Sequence, residues 1–190
     1  MTEERRFPRI NLEALLWIAV LGFVGYRIWP QVAAAFGIGA GDASAPEIRV
    51  ETLAGEEITL GGLRGQVVLV NFWATWCPPC RFEMPGFQRV YEAHRDRGFT
   101  ILGLSTDVGT PDLVRNFITE HDITYPIAAA TAETTRAFGG VRALPTSYLI
   151  DRAGRIRYTV RGIFTETALE QAVERLLTET ADSAAAGGTQ

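Results

Sequence analysis

Residues 66–87 read QVVLVNFWATWCPPCRFEMPGF, and no other stretch constrains the fold as tightly. The run "QVVLVNFWA" (66–74) is almost continuously apolar, which predicts a strand buried on both faces. From Pro78 the pattern turns helical. Phe87, Val90, Tyr91 and His94 fall on one stripe, and Gly98 supplies a C-terminal stop. At the junction stand Cys77 and Cys80, the only cysteines in the chain, with Pro78 and Pro79 between them. Both thiols are thereby committed to the first turn of one helix.

The flanking sequence extends this unit in both directions. "IRVETLAGEEITL" alternates and turns at Ala54-Gly55, predicting an N-terminal β-hairpin. "FTILGLSTD" reads as a second buried strand. Thr110, Pro111 and Asp112 then provide a cap, a first-position proline and an early acid for a helix whose stripe is Leu113, Val114, Phe117 and Ile118. "YPIAAA" and "AETTRAFGG" suggest a short strand and a short helix, and "TSYLIDRAGRIRYTV" a hairpin turning at Ala153-Gly154. A final helix from Thr165 is expected to bury Ala168, Leu169, Ala172, Val173, Leu176 and Leu177. The predicted fold class is α/β: a central mixed sheet flanked by helices.

The chain's balance excludes several functions. Of 190 residues, 47% are hydrophobic and 21% charged, so a packed core is expected. The net charge of −4 gives no basic character for binding nucleic acid. All 18 basic residues are arginine, which excludes a lysine nucleophile or Schiff base.

The N-terminus reads as an address. Residues 1–9 carry Arg5, Arg6 and Arg9, and residues 14–26 are free of charge. Those 13 residues fall short of the roughly 20 needed for a span. Glu13 and Arg27 can reach headgroups, however, and Tyr26 and Trp29 resemble an interfacial belt. The expectation is a transmembrane anchor over 10–29 with residues 1–9 in the cytoplasm. The rival is a signal peptide cleaved after Ala35. Both readings export the rest of the chain. Residues 30–46, including the Gly/Ala-rich "GIGAGDASAP", are expected to form a flexible linker, 47–178 the folded domain, and 179–190 a disordered tail.

Cysteines three apart at a helix start sit at disulfide-forming distance, and four uses compete. A zinc site needs about four ligands, and His94 and His121 are the only histidines. Haem attachment needs histidine after the second cysteine, where Arg81 stands. A purely structural bridge would close a tiny loop worth about 2 kcal/mol. Thiol–disulfide exchange explains more, because Cys77 meets a helix N-terminus whose partial positive charge favours thiolate.

"VVLVNFWATWCPPCRFEMP" resembles the active-site segment of the thioredoxin superfamily, and more narrowly that of membrane-anchored, extracytoplasmic TlpA/ResA-like reductases. "ALPTSYLIDRAGRI" resembles the same family's cis-proline segment. The likeness spans roughly 47 to 178, with a strand–helix insert near 123 to 139. It implies a thioredoxin-like fold and a thiol-disulfide oxidoreductase that reduces protein disulfides outside the cytoplasm. Family members include the thiol-disulfide proteins of cytochrome c maturation, so apocytochrome c is an implied substrate and a transmembrane thiol-transfer protein an implied electron donor. No metal or organic cofactor is implied. The resemblance assigns Cys77 as exposed nucleophile, Cys80 as buried resolving thiol and Pro145 as cis-proline. It sets Trp76, Pro78 and Pro79 beside the site, with Leu144 offering backbone hydrogen bonds to a substrate strand.

One departure from thioredoxin is visible. Its buried acid lies six residues before the first cysteine, where Asn71 stands here and cannot take a proton. Glu83 falls on the same helix face as Cys80, and ResA-like proteins carry a glutamate there. Pro85 is expected to kink the helix. His94 and His121 are expected on helix surfaces, and "DRAGRIRYTVR" on the exposed face of a hairpin. A peroxiredoxin-like peroxidase and a copper-handling chaperone remain alternatives; Met84 is the only neighbour suited to the second.

Overall fold

The computed structural model describes residues 39–109 and 111–186, together with Trp17 and Val20. The chain divides into two compact units, Met1–Ala35 and Phe36–Gln190. In the first, Trp17 and Val20 are helical and exposed. The remainder of the expected anchor, its flanking arginines and the Ala35 cleavage site lie outside the described residues. Among the described residues no helix is long and apolar enough to cross a membrane.

The second unit is organised by β4 (Val67–Trp73), all seven residues of which are buried. It pairs in parallel with β5 (Phe99–Ser105), and β5 pairs in parallel with β6 (Ile127–Ala129). On its other side β4 pairs antiparallel with β7 (Thr146–Ile150), and β7 with β8 (Arg155–Arg161). A further strand, β1 (Gly39–Ser44), closes that edge, so the six-stranded order is β1-β8-β7-β4-β5-β6. A separate hairpin joins β2 (Arg49–Glu51) to β3 (Glu57–Thr59). Among the described residues of this unit the α-helices are α1 (Pro78–His94), α2 (Pro111–Glu120), α3 (Ala132–Ala137) and α4 (Glu166–Ala186), set between and after the strands.

Side chains alternate across a strand, so β4 serves two cores. Val67, Leu69 and Trp73 meet Phe87 and Val90 of α1, with Leu169, Val173 and Leu176 of α4 in the same cluster. Val68, Val70 and Phe72 join Tyr148, Phe138 and the hairpin residues Val50 and Ile58 on the opposite face. Trp73 and Phe72 are fully buried, and truncating either to alanine should cost about 3–5 kcal/mol. α1 runs unbroken through Pro85, which removes the amide that Arg81's carbonyl would otherwise receive.

Five details differ from the sequence-based expectation. Residues 39–44, read as linker, form β1 and pair with β8. Strand pairing uses main-chain groups, so Gly/Ala-rich composition does not forbid it where an edge is open. α4 continues to Ala186 through a segment read as disordered, consistent with the helix preference of its alanines. Leu113 and Ala168 are exposed because each lies one residue outside its helix's buried stripe. His94, expected on a surface, is buried where α1 meets α4, its Nε2 2.8 Å from Glu170. His121 is half-buried, stacked on Phe117 at 4.1 Å between ring centroids. For α2, Pro111 and Asp112 take the expected first-turn positions, whereas Thr110 lies outside the described residues.

Candidate active site

The chain leaves β4 at Trp73 and is turned by hydrogen bonds into α1. Thr75 donates to Asp107 through its backbone amide (2.9 Å) and its hydroxyl (2.6 Å), and Cys77 N–H reaches the Ala74 carbonyl at 3.2 Å. Cys77 is the N-cap of α1, with extended backbone at φ −91°, ψ 104°. Pro78 and Pro79 fill the first two helical positions and have no N–H to give. The Cys77 sulfur therefore receives a single local donor, the Cys80 amide at 3.4 Å. Cys77 and Cys80 are joined by a disulfide, their Cα atoms 5.3 Å apart.

Cys77 is less open than expected of an exposed nucleophile. It is 3% exposed and Cys80 is fully buried, whereas the neighbouring Trp76 is 68% exposed. Cys77 nevertheless borders an open cavity of about 420 Å³, which Trp76, Pro78, Pro79 and Leu144 also line. The Leu144–Pro145 peptide is cis. The Pro145 carbonyl accepts from Gly162 N–H at 2.8 Å, which ties this segment to the end of β8. The structure thus brings Trp76, Cys77, Pro78, Pro79 and Leu144 around one cavity, with Pro145 next in the chain.

Glu83 lies one helical turn beyond Cys80 and is 3% exposed. Its Oε1 accepts from Asn71 Nδ2 at 3.0 Å and its Oε2 from the Phe164 backbone N–H at 3.0 Å. Burial pushes its pKa from 4.5 up to about 8, against the lowering effect of the Phe164 and Asn71 hydrogen bonds. The position that is acidic in thioredoxin is here an amide that holds an acid supplied by the helix. Asn71 also donates to Ser147 Oγ at 3.0 Å, since the two residues face each other across the β4–β7 pair.

Sequence reasoning missed three contributors. Ser147 was legible only as an alternating position in "TSYLI". The Phe164 amide is a backbone group with no sequence signal. Tyr125 is buried, and burial together with the nearby Glu83 charge raises its hydroxyl well above the usual range. Its hydroxyl, Trp73 Nε1 and Asn71 Oδ1 are buried and without a hydrogen-bond partner among the described residues. Met84, the neighbour relevant to copper, is 1% exposed and packs in the same buried apolar cluster as Cys77 and Cys80. His94, Glu170 and Glu174 could together hold a metal ion. The Arg97 guanidinium already sits among them, 2.6 Å from Glu174 and 3.1 Å from His94 Nδ1.

A sequence model of the AhpC/TSA family matches residues 42–159. The chain is 32% identical over 177 residues to thiol-disulfide oxidoreductase ResA of Geobacillus thermodenitrificans, covering 93% of this chain and 99% of that protein. It is 35% identical over 132 residues to ResA of Bacillus thuringiensis, covering 70% and 76% respectively. A crystal structure of a thioredoxin family thiol:disulfide interchange protein from Chlorobium tepidum superposes with a TM-score of 0.67 at 34% identity. That match covers 73% of this chain and 99% of the other. A disulfide at a helix N-terminus, bordering an open cavity beside a cis-proline, is the geometry that thiol–disulfide exchange requires. The chain belongs to the AhpC/TSA family and, within it, to the ResA-like thiol-disulfide oxidoreductases of thioredoxin-like fold.

Proposed function

We propose that this enzyme works as a reductase of protein disulfides outside the cytoplasm, held at the membrane by residues 10–29. The observation that carries the direction of transfer is the sparse donor set of Cys77, whose sulfur receives only the Cys80 amide among the described residues. A less stabilised thiolate means a less stabilised dithiol, which therefore gives its electrons away more readily.

In the reduced protein, Cys77 thiolate attacks one sulfur of a substrate disulfide. A Cys77–substrate bond forms, the substrate S–S bond breaks and one substrate thiolate leaves. Cys80 then gives its proton to ionised Glu83 and attacks the Cys77 sulfur. The Cys77–Cys80 bond forms, and the second substrate sulfur departs as thiolate. The substrate disulfide is reduced by two electrons and the enzyme dithiol is oxidised by two. With a pKa near 8, Glu83 is poised to take that proton and to return it when a donor protein reduces the pair. Leu144, in the segment that leads into Pro145, offers backbone hydrogen bonds to the bound substrate strand. Apocytochrome c fits the substrate role and a transmembrane thiol-transfer protein the donor role, as in the cytochrome c maturation systems that the family serves.

The test is a trap. A Cys80→Ala variant retains the nucleophile but cannot resolve, so mixed disulfides with exported proteins should accumulate through Cys77. A reporter fused after Gln190 should be active only if export is needed, and the protein should resist extraction by alkaline carbonate. Mixed disulfides formed solely with cytoplasmic proteins would overturn the localisation. Failure of the reduced wild type to reduce insulin would overturn the reductase reading.

A further inference from the structure

Two arginines near the disulfide have no counter-charge. Arg142 lines the cavity that Cys77 borders, and it also lines a second cavity of about 420 Å³ immediately beside it. Val141 and Ala143 are likewise shared, so the two hollows adjoin along residues 141–143. Arg161 lines the second hollow from the end of β8, where it pairs with Thr146, the residue after cis-Pro145. No aspartate or glutamate lines either hollow. Nor does either arginine make an ion pair or hydrogen bond among the described residues. Elsewhere Arg49, Arg89, Arg97, Arg115 and Arg157 are paired with carboxylates, whereas Arg136 and Arg152 reach backbone carbonyls and Arg81 lies over the Phe117 ring; what sets Arg142 and Arg161 apart is that both line one hollow beside the disulfide. An overall charge of −4 makes this local excess of positive charge stand out further.

Resting on the reductase reading above, we propose that Arg142 and Arg161 form an anionic-side-chain subsite of the substrate groove. A bound polypeptide places its cysteine against Cys77 and runs past Leu144 and Ala143, and an aspartate or glutamate near that cysteine settles between the two guanidiniums. The walls favour a side chain over a free ion. Tyr148, Thr146 and Thr159 line the hollow alongside the glycines Gly139 and Gly140, giving an apolar and hydroxylic trough open to one side. Guanidinium also suits this use, because its planar donor fork matches a carboxylate. The subsite contributes selectivity and encounter rate rather than chemistry, as solvent-accessible charge pairs generally do.

The experiment compares two peptides with the same internal disulfide, one carrying glutamates within four residues of each cysteine and the other glutamines at those positions. Fully reduced wild-type protein should reduce the glutamate peptide with a kcat/KM roughly three- to tenfold higher, as two accessible charge pairs allow. This ratio should collapse towards one as salt approaches about 1 M, where the screening length falls to about 3 Å. In an Arg142→Glu/Arg161→Glu variant the order should invert, with a lysine-flanked peptide now outrunning the glutamate one. Equal rates for the glutamate and glutamine peptides in wild type, or a glutamate preference surviving in the double variant, would overturn the subsite and leave the reductase reading intact. Reduction of no peptide by wild type would overturn the reductase reading itself and the subsite with it.

Discussion

Glu83 offers the sharpest quantitative test, because its environment ties the stability of the fold to pH in a calculable way. Its pKa is 4.5 when exposed and about 8 in the folded protein. Between those values the folded state keeps a proton that the unfolded chain has lost, so unfolding releases a proton and stability falls as pH rises. The contribution is fully present below about pH 4.5 and gone above about pH 8. At about 1.4 kcal/mol per tenfold change in proton affinity, the whole window is worth at most roughly 5 kcal/mol. Glu83→Gln removes the titration. The glutamine carbonyl can keep the Phe164 amide, and its NH₂ group then faces Asn71, whose side-chain amide must turn over. That turn presents Asn71 Oδ1, an atom with no partner in the native arrangement.

Urea unfolding of the oxidised proteins from about pH 4 to about pH 9 measures this directly, and keeping the disulfide intact removes thiol titration from the comparison. Subtracting the variant's curve from the wild type's cancels every other group. The difference should slope downward through the window, leaving the variant the more stable protein at about pH 9. Parallel curves would refute the reasoning and show that Glu83 is as easily ionised in the fold as in water. In the same variant, thiol exchange should lose the limb of its pH profile that titrates near pH 8.

Three further outcomes follow from the geometry. The Cys77–Cys80 couple should equilibrate with dithiothreitol or glutathione buffers nearer about −270 mV than about −120 mV, and a value above roughly −160 mV would undo the donor-set argument. Gly103→Ala places a methyl group 2.5 Å from Ile127 Cδ1 and 3.2 Å from Trp73 Nε1. Overpacking of this kind costs about 1–3 kcal/mol, read as a lower denaturation midpoint at unchanged slope. Asp151→Asn removes the carboxylate oxygen that Arg155 and Arg157 reach at 3.1 and 3.4 Å. Burial alone would raise the Asp151 pKa, but the Arg155 amide and the two guanidiniums hold it below its ordinary 3.8. The loss of about 1–3 kcal/mol at neutral pH should therefore shrink as pH falls below the ordinary carboxylate range.

What could be read from the sequence is what depends on neighbours in the chain. A buried strand running into a proline-marked helix start positions Cys77 and Cys80 through local geometry alone, and helical spacing sets Glu83 one turn past Cys80. The nearly unbroken apolar run of β4 likewise marked it as a strand buried on both faces, because the hydrophobicity of consecutive residues is a local property. What the sequence left open was decided by groups that meet only when the sheet closes. β1 emerged from an apparent linker because the edge of β8 was available to pair with it. His94 is buried because α4 packs against α1, which no helical periodicity could foresee. Glu83 owes its raised pKa to burial in the packed chain, against the lowering effect of hydrogen bonds from Phe164, 81 residues further along, and from the β4 residue Asn71. Arg142 and Arg161 share a groove because β8 returns beside the cis-proline segment. Ionisation energies and partnerships of this kind depend on distance in space and on exclusion of water, and both are properties of the packed chain.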